Sequence, residues 1–387
     1  MERPTVAVTM GDPAGVGPEV VVGAYPALLD AAGPLVVGDA DVLRAAVETR
    51  DSDLAVAAVE SAAGATAEPG TIPVLDLDNV DAEALEHGVV REAYGAASLD
   101  YVRRAIDLAT AGAVDAVATA PINKQATRLA GCEHAGHTGL LADATGTDDY
   151  AMMLVEGVGS TNGASVGSTD GESVGSADGE SVGSADGESV GSAADYDLAV
   201  THVSTHVPLT EACDLVSTGR VRTTVDLTHE GMRDLGVEDP TIAVAGLNPH
   251  AGDGGILGVT EGTEIEPAVD DARAAGLDVR GPESPDTVFA RAAAGDYDCV
   301  VAMYHDQGHI PIKMLGFASD DAVSGVNVTV GLPIVRTSVD HGTAFDIAGE
   351  GVASERSMVE AVELAARIAR NRAAREDALA AHSGEGR

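Results

Sequence analysis

Three histidines in this sequence each follow an apolar run with the pattern of a β-strand. They are His206 in STHVPL, His250 in GLNPHAG and His305 in AMYHDQG. In α/β proteins the carboxyl ends of parallel strands meet at the ligand-binding crevice. Three imidazoles at such a crevice could hold a divalent metal and leave positions open for substrate. Their spacing fits equally well three histidines that are hydrogen-bonded separately, so the shared metal site is a hypothesis at this point.

Four cationic side chains stand beside Pro or Gly near strand ends, where binding residues concentrate. They are Lys124 in TAPINKQA, His137 in GHTG, Lys313 in HIPIKML and Arg336 in LPIVRTS. Lys124 and Lys313 are the only lysines of the chain. Lysine and arginine together can hold a phosphate and a carboxylate. Isolated surface charges are the alternative, which the apolar neighbours of Lys313 and Arg336 disfavour.

A glycine-rich segment, MGDPAGVGPE, follows the first strand-like run. Gly11, Gly15 and Gly17 would allow a tight loop whose amides face an anion, and Pro18 suits the first turn of a helix. The spacing is not G-x-G-x-x-G, and no acidic residue is correctly placed about 20 residues further on. A Rossmann dinucleotide site is therefore not predicted, and an ordinary strand-to-helix turn is the alternative to an anion-binding loop.

The elements that would position these residues alternate between strands and helices. Strands are predicted at TVAVTM, PLVVGD, AVATAP, LAVTHVS, TIAVAG and CVVAMYH, and helices at SLDYVRRAIDLATAG, SPDTVFARAAAGD and the final SMVEAVELAARIARNRAAREDALAAH. This alternation predicts an α/β fold with a largely parallel sheet. With few aromatic residues and no Trp, the core must be built from Ala, Val, Leu and Ile.

The chain carries 63 acidic against 22 basic residues, a formal charge of −41. Such a surface repels nucleic acid and anionic membranes, which excludes both as partners, and it is typical of adaptation to high salt. The sequence shows no membrane span and no signal peptide. Cys132, Cys213 and Cys299 lack disulfide-like spacing, which indicates a reducing compartment, and a cytoplasmic enzyme is expected.

An eight-residue unit repeats between residues 157 and 194, with Ser165, Ser173, Ser181 and Ser189 each followed by Val-Gly-Ser. Its Gly, Ser, Asp and Glu cannot bury enough apolar surface to offset the entropy of ordering. A calcium-binding repeat would need a nine-residue unit with paired glycines. The segment is predicted to be a disordered insertion between two strands.

Eight motifs, taken in chain order, resemble the 4-hydroxythreonine-4-phosphate dehydrogenase (PdxA) family over nearly the whole chain outside the repeat. They are MGDPAGVGPE, TAPINK, GHTG, THVPL, GLNPHAG, GPESPDT, YHDQG and VNVTVGLPIVRTSVDHGTAFDIAG. The resemblance implies a two-lobed α/β fold like that of isopropylmalate and isocitrate dehydrogenases, with a cleft between the lobes, rather than a conventional Rossmann domain. The lobes would comprise residues 1–130 with 305–387, and 131–304, with a frayed tail at 382–387. It also implies a homodimer whose active sites are completed by both chains.

The same resemblance implies a set of site residues. The metal ligands would be His206, His250 and His305, and the substrate-binding residues His137, Thr138, Lys313, Asn327 and Arg336. The segment SVDHGTAFDIAGEGVAS resembles the cofactor loop of isopropylmalate and isocitrate dehydrogenases, which would assign cofactor binding to His341, Gly342, Asp346 and Gly349. The implied cofactors are NAD and a divalent metal, either Zn, Mg or Co. The general base stays open between Asp306 and Asp286, each of which could instead orient a metal-binding histidine.

The implied reaction is NAD-linked oxidation and decarboxylation of a phosphorylated hydroxy acid. The leading substrate is 4-phosphohydroxy-L-threonine, in pyridoxal phosphate biosynthesis, and the alternative is D-threonate or D-erythronate 4-phosphate, in sugar-acid catabolism. A non-catalytic metal- or anion-binding protein is the hypothesis from another class. Two departures from the family concern the substrate: Gly139 stands where the family usually has Glu, and an acidic loop, FASDDAVSG, follows Lys313.

Overall fold

A computed structural model describes residues 3–134, 137–158, 196–318 and 325–384. Within these ranges the chain forms a single sheet of twelve strands with helices on both faces. The strands are β1 (Thr5–Thr9), β2 (Gly33–Gly38), β3 (Ala55–Val59), β4 (Thr71–Asp76), β5 (Ala116–Thr119), β6 (Ala151–Glu156), β7 (Leu198–His202), β8 (Ile242–Ala245), β9 (Val279–Glu283), β10 (Cys299–Ala302), β11 (Val326–Val330) and β12 (Arg336–Val339). All six strands predicted above are present, and the predicted α/β class is confirmed.

The helices form two layers, one on each face of the sheet. They are α1 (Gly17–Ala31), α2 (Ala40–Thr49), α3 (Glu92–Thr110), α4 (Lys124–Leu129), α5 (His137–Thr145), α6 (Leu209–Leu215), α7 (Thr218–Asp234), α8 (Glu266–Ala274), α9 (Val288–Ala293), α10 (His305–Ala318) and α11 (Arg356–Gly384). Helices α1, α2, α7, α8 and α11 pack together on one face. Helices α3 and α10 lie on the other face, with α4 and α5 against α3.

The strand order is β3-β4-β2-β1-β5-β12-β11-β6-β7-β10-β8-β9. The first six of these strands are parallel to one another, and so are the last four. Between them, β11 and β6 contribute three consecutive antiparallel pairings. Because three reversals leave the two parallel blocks in opposite directions, their carboxyl ends lie at opposite edges of the sheet. A Rossmann sheet has no such reversal.

The core is built from small and branched apolar side chains, as the composition predicts. One cluster runs from Val8 and Leu35 on the first block through Met153 on β6 to Cys299 on the second block. The cluster therefore continues across the boundary between the two proposed lobes, and the sheet does so as well. Among the described residues, no helix is long and apolar enough to cross a membrane.

Several predicted features fall outside these ranges. Residues 159–194 of the repeat lie there, as do residues 319–324 of the acidic loop after Lys313 and residues 385–387 of the tail. The strands that flank the repeat are described: β6 and β7 pair antiparallel, with Glu156 opposite Leu198. The two chain ends entering the repeat are therefore neighbours on adjacent strands.

Candidate active site

Four histidines gather where β7 ends and α10 begins. His202 is the last residue of β7 and His206 follows it, while His305 and His309 lie on successive turns of α10. The ring centroids of His206 and His305 are 5.4 Å apart, those of His202 and His309 4.8 Å, and those of His305 and His309 only 3.7 Å, in a stacked arrangement. Because β7 and β10 are paired parallel strands, their carboxyl ends bring His206 and His305 together.

His250 follows β8, the neighbour of β10 on its other side, but its side chain is exposed and belongs to none of these ring contacts. Within the described parts of the chain, no group of three or more His, Cys, Asp and Glu is arranged to hold a metal ion. The structure thus brings together two of the three predicted metal ligands, His206 and His305, and leaves the third on a neighbouring loop.

The loops that carry His206 and His250 have unusual backbones. Both residues are in the left-handed region, with φ of 50° and 54°, which costs a non-glycine residue energy and is concentrated at functional sites. The His250 loop is held by the buried carboxylate of Glu261, which accepts hydrogen bonds from the backbone and side-chain nitrogens of Asn248 at 2.6 and 3.1 Å. The amide of Gln307 ties the same loop to α10 by donating to Gly246 O at 2.8 Å.

Burial disfavours the charged form of three of these imidazoles, His202, His206 and His309. It lowers the pKa of His202 to about 3 and that of His309 to about 4, with nearby histidines adding to both shifts. Burial also lowers the pKa of His206, and Lys124 and His305 lower it further. A neutral imidazole presents a nitrogen lone pair, as a metal ligand must. The Nε2 atom of His202 is buried without a hydrogen-bond partner within the described residues.

Of the two candidate bases, Asp306 is next to the cluster, with Oδ1 2.7 Å from His305 Nδ1. Such a pairing holds the Nδ1 proton and leaves Nε2 free to bind a metal. Asp286 is exposed and accepts a hydrogen bond from Ser284 Oγ at 2.7 Å. The contacts of Asp306 are those of an orienting residue for His305.

Two cavities meet at His206. The larger, about 940 Å³, is lined by His202 and His206 and by the predicted substrate residue Thr138. The smaller, about 300 Å³, is lined by His206, His305, Tyr304 and Asp306. Gly139 also faces the larger cavity, and a Cβ there would lie 2.9 Å from His134 Nδ1. His137 begins α5, and its side chain is outside the description.

Arg336 and Asn327 lie on the face of the sheet that α10 covers. Arg336 is 2% exposed and its guanidinium donates to Thr329 Oγ1 at 3.1 Å and Thr119 Oγ1 at 2.8 Å. Within the described residues no carboxylate pairs with it, and its Nε atom has no hydrogen-bond partner. Burial lowers the pKa of Arg336 to about 9. Asn327 is on the same face, opposite Ser338, with Oδ1 buried and without a partner in that part of the chain.

Lys313 has a carboxylate partner, since its Nζ lies 2.7 Å from Asp340 Oδ2. Asp340 directly follows β12, in the other parallel block. Helix α10 therefore begins at the histidines and reaches, at Lys313, the edge where the predicted cofactor loop starts. Lys124, the other lysine, is exposed at the start of α4.

The predicted cofactor residues lie on the loop after β12. His341 Nε2 is buried without a hydrogen-bond partner among the described atoms, while Gly342 and Asp346 are exposed. Gly349 donates its amide to Glu19 Oε1 at 2.5 Å. The loop therefore offers exposed polar groups on a backbone that is anchored to the start of α1.

The glycine-rich segment before α1 is not an open anion cradle. The amides of Asp12, Ala14, Gly15 and Val16 already donate within the protein, to Pro121 O, Asp12 Oδ1, Asp12 O and Thr343 O. The segment is a strand-to-helix turn, the alternative given above. Burial raises the pKa of Asp12 at the centre of this turn to about 6.

Sequence patterns missed five residues near these sites, Glu19, His202, Glu261, His309 and Asp340. Two of them had a local signal, because His309 lies in HDQGHIPIK and His202 in THVSTH, each with a predicted ligand a few residues away. The three carboxylates had no such signal: Glu19 and Asp340 lie within quoted motifs, but nothing local marks an acidic residue that contacts another segment.

Proteins similar to this chain are named as dehydrogenases. D-threonate 4-phosphate dehydrogenase of Salmonella typhimurium is 44% identical over 371 residues, which cover 95% of this chain and 100% of the relative. 4-Hydroxythreonine-4-phosphate dehydrogenase of Trichlorobacter lovleyi is 41% identical over 376 residues, covering 96% and 99%. The crystal structure of 4-hydroxythreonine-4-phosphate dehydrogenase from Klebsiella pneumoniae superimposes with a TM-score of 0.76 at 41% identity, covering 95% and 99% of the two chains.

These matches define the class as a dehydrogenase that acts on a CH–OH group, which confirms the predicted enzyme class. A family profile described as "Pyridoxal phosphate biosynthetic protein PdxA" matches residues 30–365. The chain belongs to this PdxA family, and the resemblance carried by the sequence motifs is confirmed.

Proposed function

We propose that this chain catalyses the NAD-linked oxidation and decarboxylation of a phosphorylated hydroxy acid. The observation that carries the proposal is the buried guanidinium of Arg336, which has no carboxylate partner among the described residues and lies on the α10 face with Asn327. An unpaired buried cation costs free energy unless an anion joins it. A substrate phosphate or carboxylate would supply that anion, with Lys313 as a second cation and Thr138 in the wall of the cavity at His206.

Two substrates follow from the names of the relatives. The leading one is 4-phosphohydroxy-L-threonine, the substrate of a pyridoxal phosphate pathway. D-threonate 4-phosphate is favoured by the relative at 44% identity and by Gly139. A carboxylate at that position would attract the ammonium group of hydroxythreonine phosphate, whereas D-threonate 4-phosphate carries no ammonium. D-erythronate 4-phosphate, which also carries no ammonium group, is a candidate substrate on the same grounds as D-threonate 4-phosphate.

His206, His250 and His305 are the residues proposed to hold a divalent metal, Zn, Mg or Co. The donor set fits, because His206 and His305 are adjacent imidazoles and Asp306 orients His305. When bound, such a metal supplies Lewis-acid stabilisation of negative charge on oxygen. The protein's part is to fix the reacting carbon through Arg336 and Lys313, since orientation lowers the barrier.

The loop of His341, Gly342, Asp346 and Gly349 is proposed to bind NAD. Its exposed positions and the unpaired, buried Nε2 of His341 fit a polar ligand. NAD held by this loop would supply the hydride acceptor for oxidation of the alcohol to a ketone, and that chemistry belongs to the cofactor. The alcohol proton passes to a base, for which Asp306 and Asp286 stay the candidates, and the β-keto acid then releases carbon dioxide.

We infer that a second copy of the chain completes the site, in a cytoplasmic homodimer with a cleft between two lobes in each chain. The exposed position of His250, apart from His206 and His305, supports this inference. Co-expression of His250→Ala and His305→Ala chains tests it. Each variant alone should be inactive, and mixed dimers should regain activity because one of their two sites keeps all its histidines. Absence of any recovery would contradict a shared site.

The function itself is tested by NADH formation with purified enzyme. The panel comprises 4-phosphohydroxy-L-threonine, D-threonate 4-phosphate, D-erythronate 4-phosphate and their unphosphorylated forms, each with NAD or NADP. Activity should require phosphate on the substrate, disappear with a chelator and return with added metal. The preferred substrate is the one with the highest kcat/KM. No NADH with any phosphorylated acid in the presence of metal would overturn the proposal in favour of a binding protein.

A further inference from the structure

The glycine-rich turn before α1 packs against the loop at residues 341–351. Val16 donates its amide to Thr343 O at 3.0 Å. A Cβ on Gly15 would lie 3.0 Å from both Thr343 Cβ and Thr343 O, so only glycine allows this approach without displacement. Two segments more than 300 residues apart in sequence therefore touch backbone to backbone.

Glu19, in the first turn of α1, adds side-chain hydrogen bonds to the contact between this turn and the loop. The residue is 2% exposed, and its carboxylate accepts two backbone hydrogen bonds, from Gly349 at 2.5 Å and from Gly351 at 2.7 Å. No cation pairs with this carboxylate within the described residues. Its negative charge is stabilised instead by the loop amides and by the amino end of α1, where anionic groups are favoured.

The bound conformation of the loop also depends on glycine. Gly349 has a φ of +86°, in the left-handed region that glycine adopts without strain. Beyond the loop, Arg50 donates to Ala353 O at 2.8 Å and pairs with Glu355 at 3.0 Å. Glu19 and Arg50 thus anchor consecutive stretches of backbone, but only Glu19 bonds within the segment that contains Gly349.

We propose that Glu19 is a positioning residue for the cofactor: its carboxylate holds the 341–351 loop in the conformation that binds NAD. The inference rests on the proposed function, because it takes this loop as the NAD site. Glu19 touches no reacting atom. Its loss should therefore weaken NAD binding and leave the chemical step nearly unchanged at saturating NAD, since preorganisation of a binding loop acts through affinity.

Glu19→Ala removes both hydrogen bonds, and Glu19→Gln keeps an acceptor of the same shape. For Glu19→Ala, Kd and KM for NAD should rise about tenfold or more, the effect of losing one charge-assisted hydrogen bond. The kcat at saturating NAD and the KM for substrate should change less than about threefold. Glu19→Gln should lie between Glu19→Ala and wild type. Without NAD, amide hydrogen exchange in the peptides covering 341–355 should be faster in Glu19→Ala than in wild type.

Asp234→Asn is the matched control. Asp234 is also a buried carboxylate that bonds a distant element, since it pairs with Arg372 and Arg375 of α11. This control should lower Tm and leave the Kd for NAD within about twofold, because it is remote from the loop. If Glu19→Ala folds and binds NAD as tightly as wild type, or if Glu19→Gln does so when Glu19→Ala does not fold, the inference is overturned. Failure of wild type to bind NAD would instead overturn the proposed function, and the exchange measurement distinguishes the two results because it needs no cofactor.

Discussion

Two regions carry most of the predicted site residues: the loop at 341–351 and the histidine region where β7 ends and α10 begins. They differ in how far their polar groups are satisfied by contacts among the described residues. The loop at 341–351 is held by backbone hydrogen bonds to Val16 and Glu19. The histidine region has an exposed His250, left-handed backbone at two predicted ligands and a buried Nε2 of His202 without a partner in the described ranges. Both follow the carboxyl ends of parallel strands, but these ends lie at opposite edges of the sheet.

This difference indicates which of the two regions is held in its conformation by hydrogen bonds within the fold. Backbone amides and a buried carboxylate satisfy one another and hold the backbone of the loop, while His341 Nε2 has no hydrogen-bond partner within the described ranges. In the histidine region the Nε2 of His202 is buried without a hydrogen-bond partner within the described ranges, and the buried guanidinium of Arg336 has hydroxyl partners but no carboxylate there, so both carry a desolvation cost that the described contacts do not fully offset. Helix α10 connects the two regions, because it begins at His305 and carries Lys313 to Asp340.

The largest effect is expected at the histidines. His206→Ala, His250→Ala and His305→Ala should each lose bound metal and lower kcat/KM at least about 1000-fold, because a Lewis acid contributes several kcal/mol to the transition state. Metal content by mass spectrometry and NADH formation measure the two losses. His229→Gln, on α7 and without a ring contact to the cluster, is the control. Full metal occupancy in two of the three variants would show that the histidines do not share one metal.

Replacement of Arg336 is expected to lower kcat/KM less than replacement of the histidines does, but still strongly. Arg336→Gln removes a buried charge that the substrate anion would meet, which should cost roughly 2–4 kcal/mol of transition-state stabilisation, or a fall in kcat/KM of about 30- to 1000-fold. The Kd for NAD should change little, because the loop at 341–351 has its own contacts. Wild-type kcat/KM in this variant would mean that the anion is bound elsewhere.

Arg336→Met should have the opposite effect on stability. An apolar side chain in place of a buried, unpaired cation should raise the free energy of unfolding of the ligand-free protein by about 1–3 kcal/mol. Urea unfolding without substrate measures the change, with Arg356→Met, at a half-exposed ion pair with Glu360, as the comparison. A less stable Arg336→Met protein would indicate that the guanidinium is compensated within the chain, and the contrast between the two regions would weaken.

Lys313 should show a weaker effect, because it is partly exposed and already paired with Asp340. Lys313→Met is expected to lower kcat/KM about tenfold for the phosphorylated substrate, the scale of one partly screened contact. A substrate analogue without phosphate sharpens the test. At least one of Lys313→Met and Arg336→Gln should discriminate against this analogue much less than wild type does. Unchanged discrimination in both variants would remove these two residues from the phosphate site.

The smallest effect is expected from the repeat. Because Glu156 and Leu198 are opposite each other on β6 and β7, a short turn can replace residues 159–195. Loop length contributes little free energy, so kcat/KM should stay within about threefold of wild type. Circular dichroism and NADH formation measure fold and activity. A chain that no longer folds would show that the repeat packs on the protein.

Six strands, the α/β class, the family and the pairing of His206 with His305 could be predicted from the sequence. Local patterns suffice there, because a buried strand is an apolar run of its own and strand ends mark ligand crevices. The sequence also identified Arg336 as a cation among apolar neighbours, and its buried position agrees with that prediction.

Only the tertiary structure decided what those residues meet. The reversal of the two parallel blocks depends on β11 and β6 pairing across a long chain separation, which no local pattern encodes. The pairing of Lys313 with Asp340, the separation of His250 from His305 and the binding of Gly349 by Glu19 are contacts between distant segments. The sequence therefore determined which side chains have the chemistry to bind a metal, an anion or a cofactor. Packing determined which of them are already satisfied and which still need a ligand, because satisfaction depends on neighbours in space.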